Sequence, residues 1–346
     1  MQTRATALGL IASFATFLCC GGSAHFNNPP AVSGSPVLAH YQLTGDTTPV
    51  RDPSIIRQGS IYYLFSTDAG GSIPGHLPIR CSSDRVSWNL CGAVFDQIPA
   101  WVQSQVPGIG GLWAPDISYF NGLYHLYYAG SLFGTNTSVI GLATNTTLDA
   151  NDPAYQWVDQ GLVLQSSGSD DFNAIDPTVL LDSDATAWLT YGSYWTGIKQ
   201  QQLDTMTGKL MAGNTVYSLA TRPGVQFDPI EGSSLVHKGN YYYLFVSFDD
   251  CCNPNPYNDT YRIMFGRSTS PRGPFTDQNG IAMMDGGGTQ LLAGNGTTWN
   301  APGGETVLID PQQDLITFHA LRLPDGAAYV FVNSLTWPND WPQIQP

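Results

Sequence analysis

One unit recurs five times along this 346-residue chain and limits its fold more than any other feature. Each copy opens on a polar or acidic residue, runs as a short apolar strand, turns on Gly, Asn or Asp, and returns as an aromatic-rich strand. Four copies occupy residues 52–66, 116–128, 176–191 and 231–245, and a weaker fifth runs from 304–310 to 315–319. Apolar and aromatic residues flanking turns such as Asn121-Gly122 and Gly239-Asn240 predict β-hairpins. The copies start 64, 60, 55 and 73 residues apart, more than a hairpin uses. Runs such as 138–143 and 263–267 supply two further strands per period. A four-stranded sheet repeated radially is a β-propeller, so the chain is expected to be all-β, a five-bladed β-propeller in one domain.

In a propeller the innermost strand of every blade lines the central channel, and all these strands start at the same end of it. Asp52, Asp116, Asp176 and Glu231 are thereby placed around one pocket. A single acid ahead of a strand reads as a turn residue. Four at the same phase, in a chain only 12% charged, read as a site. Crowded carboxylates repel, so at least one keeps its proton near neutral pH. A protonated acid beside an ionised one is the equipment for breaking a glycosidic bond. The partner either activates water, with inversion, or attacks the sugar, with retention, and the sequence leaves that choice open. Trp113, Phe133 and Trp195 lie near the same strand starts and offer ring faces to a sugar. Propeller aromatics commonly pack between blades; Trp113, three residues before Asp116, sides with the pocket.

Composition narrows the partners. Thirteen Lys and Arg against 27 Asp and Glu give a net charge of −14, which excludes a backbone-binding nucleic-acid protein. Arg4 precedes an apolar run over residues 5–20 and the small-residue stretch 21–24. That pattern predicts a secretory signal peptide over 1–24, too short to span a membrane, then a polar lead-in over 25–39 and the propeller over 40–346. The mature protein is expected to be extracellular and monomeric. Its four cysteines, Cys81, Cys91, Cys251 and Cys252, allow three disulfide pairings. Cys81–Cys91 closes a short local loop and is favoured, leaving Cys251 and Cys252 as a vicinal pair or two thiols. Zinc is disfavoured for lack of a C-x-x-C spacing. Sequons for N-glycosylation start at Asn136, Asn145, Asn258 and Asn295.

The motifs Arg51-Asp52-Pro53, Trp113-Ala114-Pro115-Asp116-Ile117, Asn173-Ala174-Ile175-Asp176-Pro177, Tyr191-Gly192-Ser193-Tyr194-Trp195 and Ile230-Glu231-Gly232 follow one another in this order. The ordered set, with residues 241–252 and 286–289, resembles the endo-α-1,5-L-arabinanases of glycoside hydrolase family 43 over about residues 40 to 320. The resemblance implies a five-bladed propeller and inverting hydrolysis of arabinan, the side chains of pectin. It implies Asp52 as general base, Glu231 as general acid and Asp176 as the carboxylate that orients the acid and tunes its pKa. Trp113 and Phe133 match positions that contact the arabinose chain. Asn173 and Ser193 stand in motifs that line the pocket, as does Trp195, and Asp116 belongs to a matched motif without a proton-transfer role. His319 resembles the family histidine that holds a calcium ion, or another small cation, in the channel with water; no organic cofactor is implied. The chain departs from the family at Asn300-Ala301-Pro302-Gly303-Gly304-Glu305, where many relatives carry a Gly-Pro-Gly-His type motif.

Three rivals share this scaffold. An exo-acting α-L-arabinofuranosidase or a β-xylosidase differs in loops that close one end of the groove. A retaining fructan-active enzyme also begins on an Asp-Pro motif, but the Asn-Ala-Ile-Asp and Trp-Ala-Pro-Asp motifs favour arabinan. A non-catalytic sugar-binding propeller has no use for three acids at matching blade positions.

Overall fold

The computed structural model describes residues 43–345. The expected signal peptide and lead-in, the first residues of the expected propeller and Pro346 lie outside the described residues.

Five antiparallel sheets follow one another in sequence. Blade I holds Ser54–Gln58, Ile61–Phe65, His76–Ser82 and Ser87–Phe95, with Thr44–Gly45 added in parallel at its outer edge. Blade II holds Leu112–Phe120, Leu123–Gly130, Ser138–Asn145 and Val158–Ser166. Blade III holds Thr178–Leu181, Ala187–Tyr191 and Ile198–Asp204, and the last of these pairs with both Lys209–Leu210 and Tyr217–Ala220. Blade IV holds Ile230–Lys238, Tyr241–Phe248, Arg262–Ser268 and Thr289–Ala293. Blade V holds Trp299–Leu308, Leu315–Arg322, Ala328–Thr336 and Gln343–Gln345. The five-bladed propeller read from the repeat is therefore the observed fold.

The aromatic second strand of each hairpin has a physical reason. Successive side chains of a strand point to opposite faces, and both faces of a blade meet a neighbour. In blade IV, Tyr243 and Phe245 pack with Phe318 and Phe331 of blade V, whereas Leu244, Val246 and Phe248 pack with Trp188 and Ile198 of blade III. Blade I divides the same way. Tyr63 and Phe65 pack with Leu126 and Tyr128 of blade II, and Tyr62 and Leu64 with Leu315 and Val330 of blade V. A strand buried on both sides reads as a nearly continuous apolar run, which explains why these segments lack polar alternation.

Around the channel each inner strand is tied to the next by one side chain. Ser54 Oγ accepts Ile117 N–H at 3.1 Å, Asp116 Oδ2 accepts Val179 N–H at 2.9 Å, and Asp176 Oδ2 accepts Gly232 N–H at 3.0 Å. Ser234 Oγ accepts Val307 N–H at 3.1 Å, and Thr306 Oγ1 donates to the Pro53 carbonyl at 2.8 Å. These five bonds close a ring through all five blades and satisfy buried backbone groups that no strand reaches. Where blade V meets blade I, Val50 N–H donates to Ala328 O at 3.1 Å, Val330 N–H donates to Thr47 O at 3.0 Å, and Arg57 pairs with Asp310 at 2.6 Å.

Cys81 bonds to Cys91 with 6.0 Å between their Cα atoms, and Cys251 bonds to Cys252. Two of the four sequons are closed to modification in the folded chain. Asn136 is buried and donates through Nδ2 to Asp170 O and Phe172 O, and Asn145 is buried on its strand. Asn258 and Asn295 are exposed.

Candidate active site

The channel opens at one end into a cavity of about 1000 Å3, lined by residues of several blades, among them Asp52, Asp176, Glu231 and His319. Asp52 and Asp176 stand just before the inner strands of blades I and III, with φ of 48° and 54°. Such left-handed backbone is uncommon outside glycine and costs on the order of 1–2 kcal/mol, with Asp among the better tolerated residues. Paired with the ring contacts above, it turns both carboxyls out of the sheet and into the cavity.

Three acids meet there in different electrostatic settings. Asp52, its side chain 30% exposed, accepts a 2.6 Å bond from Thr67 Oγ1. Burial raises its pKa, and Thr67 and the Arg51 guanidinium work against the rise. Asp176 lies deeper in charge repulsion: burial, then Glu231 and Asp52, push its pKa well above the usual carboxylate range, and only Gly232 N–H opposes them. Glu231 is buried and accepts from Ser193 Oγ at 2.6 Å, and the Tyr261 hydroxyl, also on the cavity wall, works with Ser193 against its pKa rise. Burial again raises its pKa, with Asp52 and Asp250 adding to the rise. Asp176 and Glu231 thus titrate as a pair whose mutual repulsion and burial favour a retained proton, while Asp52 has a cation and a hydroxyl donor beside it that oppose its rise.

His319 forms the floor, and Gly304 explains how it approaches so closely. A Cβ at Gly304 would lie 2.4 Å from Asp52 Oδ1 and 3.0 Å from His319 Nδ1. The Asp52 backbone N–H donates to His319 Nδ1 at 3.2 Å. Burial pushes the His319 pKa well down, so the ring is neutral. Because Nδ1 is an acceptor, the single ring proton sits on Nε2, which is then a donor. The Asp52 carboxylate lies 3.6 Å from the same Nδ1, so the alternative tautomer, with Nδ1–H towards Asp52, would leave the Nε2 lone pair free for a cation. Among the described residues, no group of three or more His, Cys, Asp or Glu is set to hold one. His319 is thus the single candidate ligand among the described residues for the expected calcium, which would be held by that ring and water, and no step of the hydrolysis is routed through it.

The other expected residues divide. Trp113, Phe133, Asn173, Ser193 and Trp195 all line the cavity with the three acids. Phe133 stands 78% exposed and Trp195 38% exposed, with faces free for a ligand. Asn173 is buried and accepts from Ser138 Oγ at 2.7 Å. Asp116 is not on the cavity wall. It lies between blades, accepting from Ser54 Oγ at 3.1 Å and from Val179 N–H, and burial raises its pKa to about 7. Sequence reasoning passed over three contributors. Thr67 bridges Asp52 and Ala114 N–H, Tyr261 reaches Glu231 from beyond blade IV's second strand, and Phe227, 73% exposed, lines the cavity from the loop ahead of blade IV. The Cys251–Cys252 pair forms wall, with Cys251 Sγ 3.6 Å from Glu231 Oε1. The cysteine pair lies inside the matched stretch 241–252, whereas Thr67, Tyr261 and Phe227 stand outside every motif and carry no signal in the sequence.

A five-bladed propeller that gathers three carboxyls of unequal proton affinity under an aromatic-walled cleft defines a glycosidase. The sequence comparison is specific: the signature of glycosyl hydrolases family 43 matches residues 47–342, and the chain belongs to that family. It is 40% identical over 295 residues to the extracellular endo-α-(1→5)-L-arabinanase 1 of Bacillus subtilis, covering 85% of this chain and 87% of that one. It is 35% identical over 307 residues to the extracellular exo-α-(1→5)-L-arabinofuranosidase ArbA of Cellvibrio japonicus, covering 85% and 86%. The solved structure of the Cellvibrio cellulosa α-L-arabinanase complexed with arabinohexaose superposes with a TM-score of 0.80 at 34% identity, covering 86% and 96%.

Proposed function

We propose that this protein is a secreted, monomeric endo-arabinanase that cleaves α-1,5-L-arabinofuranosidic bonds of arabinan with inversion. The observation that carries the reading is the meeting of the three acids in one aromatic-walled cavity, two of them a buried, mutually repelling pair and the third with a cation and a hydroxyl donor beside it. Asp52 takes the proton of a water molecule as that water attacks the anomeric carbon. Glu231 gives its proton to the departing glycosidic oxygen, so the C–O bond breaks without releasing an alkoxide. Asp176, tied to Gly232 N–H beside Glu231, holds the acid in place and keeps its pKa high through charge repulsion. Inversion itself rests on the family resemblance of the motifs that carry these acids.

Phe133 and Phe227 extend from different loops as exposed platforms, which supports a chain-binding groove and hence internal cleavage. Exo action is the second reading, because a relative of similar identity is named an exo-acting arabinofuranosidase. Relatives named extracellular support export after removal of a leader over residues 1–24. Among the described residues no helix is long and apolar enough to cross a membrane. The reaction as drawn needs no organic cofactor, and no step of it runs through a metal ion.

Incubation with linear arabinan tests the reading. Mixed short oligomers early in the reaction are expected; arabinose alone would refute endo action, and binding without cleavage would refute catalysis. Glu231→Ala is expected to bind arabinan yet turn over about 1000-fold more slowly, within the range of general acid catalysis.

A further inference from the structure

Asp250 is an exposed acid on the cavity wall that the hydrolytic steps leave without a role. It stands beside the general acid. Ser193 donates to Glu231 Oε2 at 2.6 Å, and Cys251 Sγ lies 3.6 Å from Glu231 Oε1. Tyr194 follows Ser193, Asp250 precedes Cys251, and the two are joined: the Tyr194 hydroxyl donates to Asp250 Oδ1 at 3.2 Å. This bond links the loop after blade III's second strand to the loop after blade IV's second strand, alongside Glu231. Both main chains are pinned. Asp250 N–H donates to Thr260 Oγ1 at 3.2 Å, and Asp250 O accepts Thr260 N–H at 2.9 Å and Tyr261 N–H at 3.1 Å. Tyr194, in left-handed backbone with φ of 54°, donates its N–H to Ile230 O at 2.9 Å. The Asp250 side chain, by contrast, makes that one bond and no ion pair among the described residues. A single exposed bond contributes little to the fold, and a further acid here repels Glu231.

We propose that Asp250 is a specificity-determining residue that grips the ring hydroxyls of the departing sugar, so that the leaving-group position selects an arabinose with O2 and O3 free. The bonds of Glu231 set the direction. Ser193 occupies Oε2, so the proton for the glycosidic oxygen is carried on Oε1, the oxygen nearest Cys251. An α-1,5 bond leaves through O5 of the departing sugar. With O5 at Oε1, the furanose ring, one methylene further on, comes against residues 250 and 251. Asp250 Oδ2, without a partner among the described residues, accepts from the O2 and O3 hydroxyls, while Tyr194 on Oδ1 fixes the plane of the carboxylate. A hydroxyl bonded to an ionised carboxylate is charge-assisted and about twice as strong a partner as one bonded to a neutral acceptor. A branch on O2 or O3 replaces the donor by an ether oxygen and puts bulk against the Tyr194–Asp250 bond. The same contact therefore disfavours decorated arabinan at this position.

The proposal rests on Glu231 being the general acid of an arabinanase, and the experiment separates the two. α-1,5-Arabinotriose is compared with an analogue whose reducing-end sugar lacks O2 and O3, with release of that sugar as the readout. Each protein is assayed at a pH on the plateau of its own kcat/KM profile. Both substrates leave through the same kind of O5, so they ask equally of Glu231, and the ratio of their kcat/KM values isolates the contacts to the two hydroxyls. The wild type is expected to prefer the parent by about 10-fold or more, the range of a hydrogen bond to a charged group. Asp250→Ala is expected to reduce that preference to within about threefold, chiefly by slowing the parent. Asp250→Asn, which keeps an acceptor without the charge, is expected to fall between. An Asp250→Ala variant that keeps the full preference overturns the proposal, as does one that slows both substrates alike, the mark of a purely structural role. A wild type that cleaves both without preference also overturns it and leaves the arabinanase reading intact. A wild type that cleaves neither overturns the arabinanase reading and the proposal with it.

Discussion

Asp116 links buried charge to stability in a way that can be measured without touching the reaction. It is 6% exposed and ties three blades together, bonding Ser54 Oγ of blade I and Val179 N–H of blade III. Its pKa rises from 3.8 to about 7 because burial penalises the charged form. The unfolded chain loses this proton near its ordinary value, so between about pH 4 and pH 7 the native state holds more proton than the unfolded state. Stability must therefore fall as pH rises through that window and level off above it. At about 1.4 kcal/mol per pH unit the full effect is about 4 kcal/mol. Asp116→Asn removes the titration and keeps the geometry, since Nδ2 can donate to Ser54 Oγ while Oδ1 accepts Val179 N–H. Taking about 2 cal/mol/K of unfolding entropy per residue over about 300 residues, the melting temperature of the variant should gain about 5 °C on wild type between about pH 4.5 and pH 8. Thermal melts of both proteins across that range measure the difference, in which all other titrations cancel. A difference that stays constant with pH would refute the reasoning. Because Asp116 is off the cavity wall, KM on arabinan should stay within about twofold in the same variant.

Other outcomes follow from the site. The acid limb of kcat/KM should lie above the usual aspartate range, because burial raises Asp52, and Asp52→Asn should abolish that limb along with nearly all turnover. Proton NMR of the first-formed product should show the β-anomer, and an initial α-anomer would exclude inversion. Phe133→Ala and Phe227→Ala should each raise KM for long arabino-oligosaccharides by about tenfold while sparing kcat on the shortest ones, as expected for lost ring stacking. Mass spectrometry of protein from a glycosylating host should find glycans only at Asn258 and Asn295, and occupancy of Asn136 would contradict its buried hydrogen bonds.

The propeller was legible because its physics repeats. Five copies of one hairpin pattern each solve the same problem of burying both faces, so the period survives in the sequence. That Asp52, Asp176 and Glu231 line one cavity was legible for the same reason, since each stands at the same phase of its copy. Phase alone misled at Asp116, which shares the position but turns its carboxyl between blades, where Ser54 Oγ and Val179 N–H hold it. His319 was found by position, yet its role depends on which ring nitrogen meets Asp52 N–H, a contact between residues 267 apart. Tyr261 and Thr67 left no trace because they lie outside the strand starts whose phase repeats and reach the cavity from other segments of blades IV and I.

That ring also decides what fails first. Among the described residues no blade draws strands from both ends of the chain, and blade I is clasped to blade V near the site by bonds from residues 47–50 to Ala328 and Val330, beside the Arg57–Asp310 pair and the packing of Tyr62 and Leu64 on Leu315 and Val330. Asp52 is attached two residues beyond this clasp. Loosening it would carry away Asp52, the proposed general base, before any blade lost its own strands, so catalysis should fade ahead of bulk unfolding on heating. Activity in this enzyme would then be the most sensitive thermometer of its own integrity.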